Sequence, residues 1–184
     1  TTAIDFSHLF SANAIIKQLL MTEILNSKNV DFKLNISANE IKNFGNFTNI
    51  FLNSKIQEGL IDIDHTKFSW KNHVNFNLTD SLIYVKNGKL LLDANSEINL
   101  INIDEVYKFL LTPKNLRKKI NKINISFTYS FDEKTISIND IKVDGTSEKN
   151  LNNRFNKIYL RDNSLQNKVY FKKFLNDVVK NYAG

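Results

Sequence analysis

Apolar and polar side chains alternate with a period of two along much of this chain, and the pattern is strongest over 74–100. Within that stretch Val74, Phe76 and Leu78 alternate with Asn75, Asn77 and Thr79, and Thr79-Asp80 bends the chain. Residues 81–86 and 89–100 then flank Asn87-Gly88, a pair that favours the tight turn of a two-residue β-hairpin. On the return run Leu90, Leu92, Ala94, Ile98 and Leu100 share one parity, with Asp93, Asn95, Glu97 and Asn99 on the other. At about 3.3 Å per residue that strand reaches roughly 35–40 Å. Ahead of the hairpin, Phe32, Leu34 and Ile36 alternate with polar residues from Val30 onward, 47–57 is expected as a strand, Glu58-Gly59 as a turn, and 60–70 as one further strand. Behind it, Ile123, Ile125, Phe127, Tyr129 and Phe131 give the cleanest alternation of all. After a turn at 132–134, Ile136 and Ile138 hold one parity while Ile141 and Val143 hold the other, so a β-bulge is expected near Asn139-Asp140. Asp144-Gly145 is expected to end the sheet.

Three stretches carry helical spacing instead. Residues 8–27 place Ile15, Ile16, Leu19, Leu20 and Ile24 on one stripe, with Ser11 or Asn13 as cap and Glu23 as the single interrupting charge. Asn102 or Asp104 caps a short helix through Val106, Phe109, Leu110 and Leu111, and Pro113 opens a further helical turn over 114–120 with Thr112 as its cap. The tail, with Leu151, Phe155, Ile158 and Tyr159 and then Val169, Phe171, Phe174, Leu175, Val178, Val179 and Tyr182, is expected to be helical. The sum is an α+β fold in a single domain, 1–184: a curved antiparallel β-sheet meander of about six or seven strands, an N-terminal helix over 8–27, a helical insertion over 102–120, and C-terminal helices over 148–183.

Charge adds an asymmetry. The net charge is +6, yet residues 1–104 carry 9 Lys against 11 acidic residues and residues 105–184 carry 16 basic against 8 acidic. The positive field therefore lies over the C-terminal part. Only three of the basic residues are Arg (Arg117, Arg154, Arg161). Lys114, Arg117, Lys118, Lys119 and Lys122 form a basic run, read as a solvated helical face, with contact to an anionic membrane surface as the alternative. The run holds no Phe or Tyr for base stacking, so nucleic acid is not expected as a partner. The chain opens Thr1-Thr2-Ala3 without an initiator Met, as a fragment or a processed chain would.

No reactive constellation accompanies these elements. Cysteine is absent, and His8, His65 and His73 have no metal-ligand spacing, so no metal or cofactor is expected. The phosphate-cradling glycine motifs are missing, and Asp62 and Asp64 share the polar side of a strand, where a pair of carboxylates is ordinarily solvated. Enzymatic activity is not expected.

The hairpin at 81–92 (SLIYVKNGKLLL), followed by a strand, a helix, a proline, the paired run 123–143 and Asp144-Gly145, resembles the C-terminal region of AsmA-like proteins, as does the close in Asn181-Tyr182-Ala183-Gly184. The resemblance spans about 30–184. It implies a periplasmic segment of a Gram-negative envelope protein, anchored to the inner membrane by an upstream segment. Such proteins are relatives of bridge-like lipid transfer proteins, whose long sheet presents an apolar inner face to phospholipid acyl chains and supports outer-membrane biogenesis. Membrane surfaces or other envelope proteins would be its further contacts. The side chains that would form the lipid-facing strip are Phe32, Leu34, Ile36, Ile61, Ile63, Val74, Phe76, Leu78, Leu90, Leu92, Ile123, Ile125, Phe127 and Tyr129. The same residues equally describe an ordinary core beneath a helix. The alternative function is a non-catalytic structural or interaction module that docks a partner on its basic C-terminal surface.

Overall fold

The computed structural model describes residues 3–4, 15–42, 44–147, 149, 157–159, 176 and 182. They build one sheet of eleven strands with few helices. The strands are β1 (Ala3–Ile4), β2 (Asp31–Ile41), β3 (Phe44–Gln57), β4 (Leu60–Asp62), β5 (Lys67–Trp70), β6 (Val74–Lys86), β7 (Lys89–Leu100), β8 (Lys122–Ser130), β9 (Thr135–Val143), β10 (Thr146–Ser147) and β11 (Lys157–Tyr159). The helices are α1 (Ile15–Met21) and α2 (Ile103–Leu110). From β2 to β9 the sheet is an antiparallel meander in which β4 and β5 lie end to end between β3 and β6. The short β1 pairs parallel to β2 at one edge, and β10 and β11 both pair with β9 at the other.

Turn chemistry sets this order. Glu58-Gly59, Asn87-Gly88 and Asp144-Gly145 each place both residues at positive φ, the backbone twist that two-residue hairpins require. Asp144 also accepts the backbone N–H groups of Asn121 (3.0 Å) and Lys122 (2.8 Å), which fixes where β8 begins.

Several expectations need correction. The strand count is eleven rather than six or seven, partly because 60–70 is not one strand. β4 and β5 are two halves of a rung, broken at 63–66 where His65 adopts φ +62°. The break is held by polar side chains. Asp64 accepts the backbone N–H of Ser81, Asn53 Nδ2 donates to the Asp64 carbonyl (2.7 Å), and Thr66 Oγ1 donates to the Asn53 carbonyl (3.3 Å). The Asp62–Asp64 pair is thus not simply solvated, since Asp62 in turn accepts the Asp64 N–H (2.7 Å). The chain does not leave the sheet at Asp144-Gly145; it turns there into β10. Ile158 and Tyr159 belong to β11 rather than a helix, because the free edge of β9 pairs with their backbone. The N-terminal helix is the shorter α1, followed by a 3-10 turn at Ile24–Asn26. Pro113 precedes a single 3-10 turn, Lys114–Leu116, after which the chain is extended, and Thr112 is buried instead of capping it. The proposed caps Ser11 and Asn13, and Leu151, Phe155 and most of the expected C-terminal helices, lie outside the described residues.

Bulges keep one face apolar despite these interruptions. Register shifts fall between Thr48 and Phe51 in β3, between Thr79 and Leu82 in β6, and opposite Asn139 in β9, where the switch of parity placed one. After each bulge the apolar parity changes and the apolar face does not. Paired residues form rows across the sheet: Phe68, Phe76, Ile98, Ile123 and Val143 in one; Ile56, Ile61, Ile83, Leu92, Tyr129 and Ile136 in another. The opposite face carries rows such as Lys55, Asp62, Leu82, Asp93, Thr128 and Ser137.

The two helices close opposite ends of the apolar face. Leu20 of α1 packs with Ile61, Ile63, Ile83 and Leu90, all buried. Lys17 of the same helix is bound to Asp132 (Nζ to Oδ1, 2.5 Å), and the other oxygen of Asp132 accepts the N–H of Leu90 (2.8 Å). At the far end α2 buries Tyr107 and Leu110 beside a cluster of Ile120, Ile141 and Val143. Asn102 caps α2 by accepting the N–H of Glu105 (3.3 Å), with Asp104 and Glu105 in its first turn and Lys108 in its last, the charge order the helix dipole favours.

The clasp at Asp132 has a pH signature. The Lys17 ammonium, followed by the Leu90 N–H, holds the Asp132 carboxyl below its ordinary value of 3.8. A depressed carboxyl contributes stability that is complete above its unfolded value and is lost as pH falls through the lower folded value. Asp132→Asn is expected to lower the urea midpoint at pH 7 by the equivalent of about 1 kcal/mol. Its stability should also fall less steeply than the parent's below about pH 4. Equal slopes for the two proteins in that acid range would show that the clasp contributes nothing.

Candidate functional site

The apolar face is not filled evenly, and the reason is geometric. Beneath α2 the floor extends across five neighbouring ladder positions, from Phe47 on β3 through Trp70, Val74 and Phe76, then Ile98 and Leu100, to Ile123 on β8. At about 4.8 Å between strands that is roughly 19 Å. An eight-residue helix is about 12 Å long and 10 Å wide, so it cannot cover this floor alone. Its inward stripe is Ile103, Val106, Tyr107 and Leu110, at i, i+3, i+4 and i+7. What remains is a cavity of about 290 Å³ between sheet and helix, open on part of its boundary and also lined by Phe109 and Ile120.

The lining is carbon almost throughout. The hydroxyl of Tyr107 is satisfied outside the cavity: it donates to the Lys118 carbonyl (2.5 Å) and accepts the Lys118 N–H (3.1 Å). Burial raises the Tyr107 pKa above the usual phenol value. Aromatic rings stiffen one wall. Phe68 stacks on Phe76 (centroids 4.6 Å, 12°), Phe47 meets Phe68 at 5.8 Å, and Trp70 meets Phe109 at 4.8 Å. A water needs two to four polar partners to occupy a site, and this lining offers none. The volume is about twice that of the roughly 150 Å³ apolar cavity that accepts a benzene. It therefore suits an alkyl chain of about ten to twelve carbons.

The residues expected to form a strip share this face but not one environment. Val74, Phe76 and Ile123 line the cavity. Ile61, Ile63 and Leu90 are buried in the α1 cluster, with Leu78 and Leu92 packed against it. Ile125 packs on Ile120, Ile141 and Val143. Phe127, Tyr129 and Ile36 are half-buried, Tyr129 against Phe131 (4.8 Å). On β2, Phe32 (52%) and Leu34 (41%) are exposed. The face is thus one greasy surface with a helix on each end, not a single open strip. Phe47, Trp70, Ile98, Val106, Tyr107 and Phe109 were not among the expected site residues. Their signal was the helical spacing of 103–110, which marks a second layer over the sheet and not merely an interruption of it.

The basic run does not form a helical face. Arg117 donates to the Thr112 carbonyl (3.0 Å) and lies over the Tyr107 ring (6.0 Å). Lys118 donates to the Tyr182 carbonyl (2.8 Å) and covers its ring (4.8 Å), and Lys122 is bound to Glu97 (2.6 Å). Lys114 and Lys119 are exposed. Among the described residues no three His, Asp or Glu side chains are grouped to hold a metal ion, and no helix is long and apolar enough to cross a membrane. The polar face carries ladders of hydrogen bonds: Asp93 accepts from Tyr84 (2.6 Å) and Thr128 (2.6 Å), and Ser126 is bonded to Asn95. No family model matches the chain, and no curated protein or solved structure matches it.

The hydrogen bond to the Asp93 carboxylate, reinforced by burial, pushes the Tyr84 hydroxyl up to about 12. A raised phenol favours the folded state fully below its unfolded value near 10, and that contribution is lost as pH rises from 10 to 12. Ultraviolet titration of phenolate should therefore show late-ionising tyrosines in the parent, Tyr84 among them, with one moving toward 10 in Asp93→Asn while buried Tyr107 and Tyr129 stay late. An unchanged titration curve in that variant would mean the bond is absent in solution.

Proposed function

We propose that the protein binds the acyl chains of lipids on the apolar face of its sheet, without catalysis, as a segment of an AsmA-like envelope protein. The observation that carries this reading is the carbon-lined cavity between α2 and the sheet. A partly open pocket whose lining offers water no hydrogen-bond partners gains by taking up an alkyl chain. Elsewhere on the same face, half-buried Phe127 and Tyr129 on β8 and exposed Phe32 and Leu34 on β2 give further apolar surface. Each buried methylene contributes about 0.8 kcal/mol, so ten give about 8 kcal/mol gross, and association costs bring the affinity to micromolar or weaker. Within the AsmA-like reading, the segment works in the periplasm, held at the inner membrane by an upstream anchor, and supports phospholipid movement to the outer membrane. The partner-docking alternative has less to rest on, because Arg117, Lys118 and Lys122 are engaged within the chain.

The chain supplies its own probe. Trp70, its one tryptophan, lines the cavity. Titration with 12-bromododecanoic acid is expected to quench Trp70 emission saturably in the micromolar range. Ile98→Phe, which fills the cavity floor, should weaken binding about tenfold while the far-ultraviolet spectrum is unchanged, and Phe76→Glu should abolish it. Emission that does not respond below the critical micelle concentration would overturn the reading.

A further inference from the structure

The two most exposed large apolar side chains among the described residues bracket α2: Ile101 (63%) before it and Leu111 (79%) after it. Leu111 is unusual on two counts. It occupies the left-handed region (φ +59°, ψ 36°) at the helix C-terminus, where glycine or asparagine is the ordinary residue. Its backbone N–H still returns to the Lys108 and Tyr107 carbonyls, so the helix ends properly, but its side chain lies in solvent. An exposed leucine at positive φ is unfavourable in backbone and in side chain alike for the isolated molecule. Transfer of the side chain to an apolar phase removes the second penalty.

Charge narrows what that phase is. Residues 101–122 hold six basic side chains against two acidic ones. Of the acids, Glu105 is bound to Lys108 and Asp104 is exposed. Of the bases, Lys114 and Lys119 are exposed and have no ionic partner among the described residues, Arg117 and Lys118 keep their charge while bonded to backbone carbonyls, and Lys122 is offset by Glu97. Two exposed apolar side chains and two exposed lysines on one segment fit an interface whose outer layer is anionic and whose inner layer is hydrocarbon. We propose that the α2 end of the sheet docks on an anionic lipid bilayer. Ile101 and Leu111 enter the acyl boundary and Lys114 and Lys119 meet headgroup phosphates, which sets α2 and the cavity beneath it against the membrane. The proposal rests on the lipid-binding reading and adds where lipid enters.

The test is co-sedimentation with vesicles of 70:30 phosphatidylcholine:phosphatidylglycerol, against vesicles of phosphatidylcholine alone. The full chain should pellet with the anionic vesicles and at least fivefold less with the neutral ones. Leu111→Asn keeps a residue that tolerates the left-handed region, so its melting temperature should match or exceed the parent's. Its binding to vesicles should drop about fivefold, and more when combined with Ile101→Ser. The pair Lys114→Gln and Lys119→Gln should lower binding to anionic vesicles only. Ile24→Ser, which removes a comparably exposed side chain (61%) near α1, should leave binding unchanged. A parent that stays in the supernatant, a Leu111→Asn/Ile101→Ser double variant that pellets like the parent, or an Ile24→Ser variant that loses as much as it does would each overturn the proposal. Quenching of Trp70 by bromododecanoate with no vesicle binding would leave the cavity reading standing and sink docking alone. Vesicle binding without quenching would do the reverse.

Discussion

Everything in this protein depends on keeping one side of a long sheet apolar while its strands change register. A strand with a side-chain period of two has no tolerance for a lost or added residue: a single slip sends every following side chain to the wrong face. The chain meets that constraint with paired errors. Where β3, β6 and β9 each admit an extra residue, the apolar residues in the sequence change parity at the same place, from Leu78 to Ile83 and from Ile138 to Ile141. Polar side chains hold the defect in place, as Asp64 and Ser81 do at the broken rung between β3 and β6. The cost of each irregularity is local, and the gain is a face that stays continuous from β3 to β9. A bulged strand also bends and twists more strongly, so the same devices shape the sheet.

The helices then divide that face by size. At one end a single turn or two of α1 is enough, because Leu20 drops into a cluster of β-branched and leucine side chains that nearly fills the space. At the other end the floor, aromatic on one side and aliphatic on the other, is wider than α2, and the mismatch leaves an apolar pocket. Both layers obey the same packing rules; only the width of uncovered strand differs. The pocket follows from a shortage of covering structure.

Much of the sheet was legible in the sequence because its signals are local. Asn87-Gly88 identifies its turn without help from distant residues, the alternation from Ile123 to Phe131 reads directly as β8, and the change of phase after Ile138 located the bulge at Asn139. The misreadings share a cause. The strand over 60–70 looked continuous because Ile61 and Ile63 alternate correctly up to the break, and the break depends on Asp64 reaching Ser81 seventeen residues away. Ile158 and Tyr159 have helical spacing with Leu151 and Phe155, and the open edge of β9 overrides it. The same limit applied to the site: parity tells which residues share a face, but whether Phe76 faces a helix, a void or solvent is decided by elements far along the chain. The cavity arises only from the width of α2 against the width of its floor.

The neighbour-by-neighbour order of the sheet also governs how the chain reaches its fold. Most ladders close over a turn of two to four residues, so pairing spreads from hairpin to hairpin with little entropy lost at each step. Between β2 and β9 the longest passage is that from β7 to β8, where residues 101–121 intervene. Closing a loop of that length costs roughly 2 kcal/mol more than closing a two-residue turn. Local pairing therefore favours β8 and β9 closing as a hairpin of their own, with the longer closure required to bring them against β7. That costlier closure carries α2, and with it the roof of the cavity.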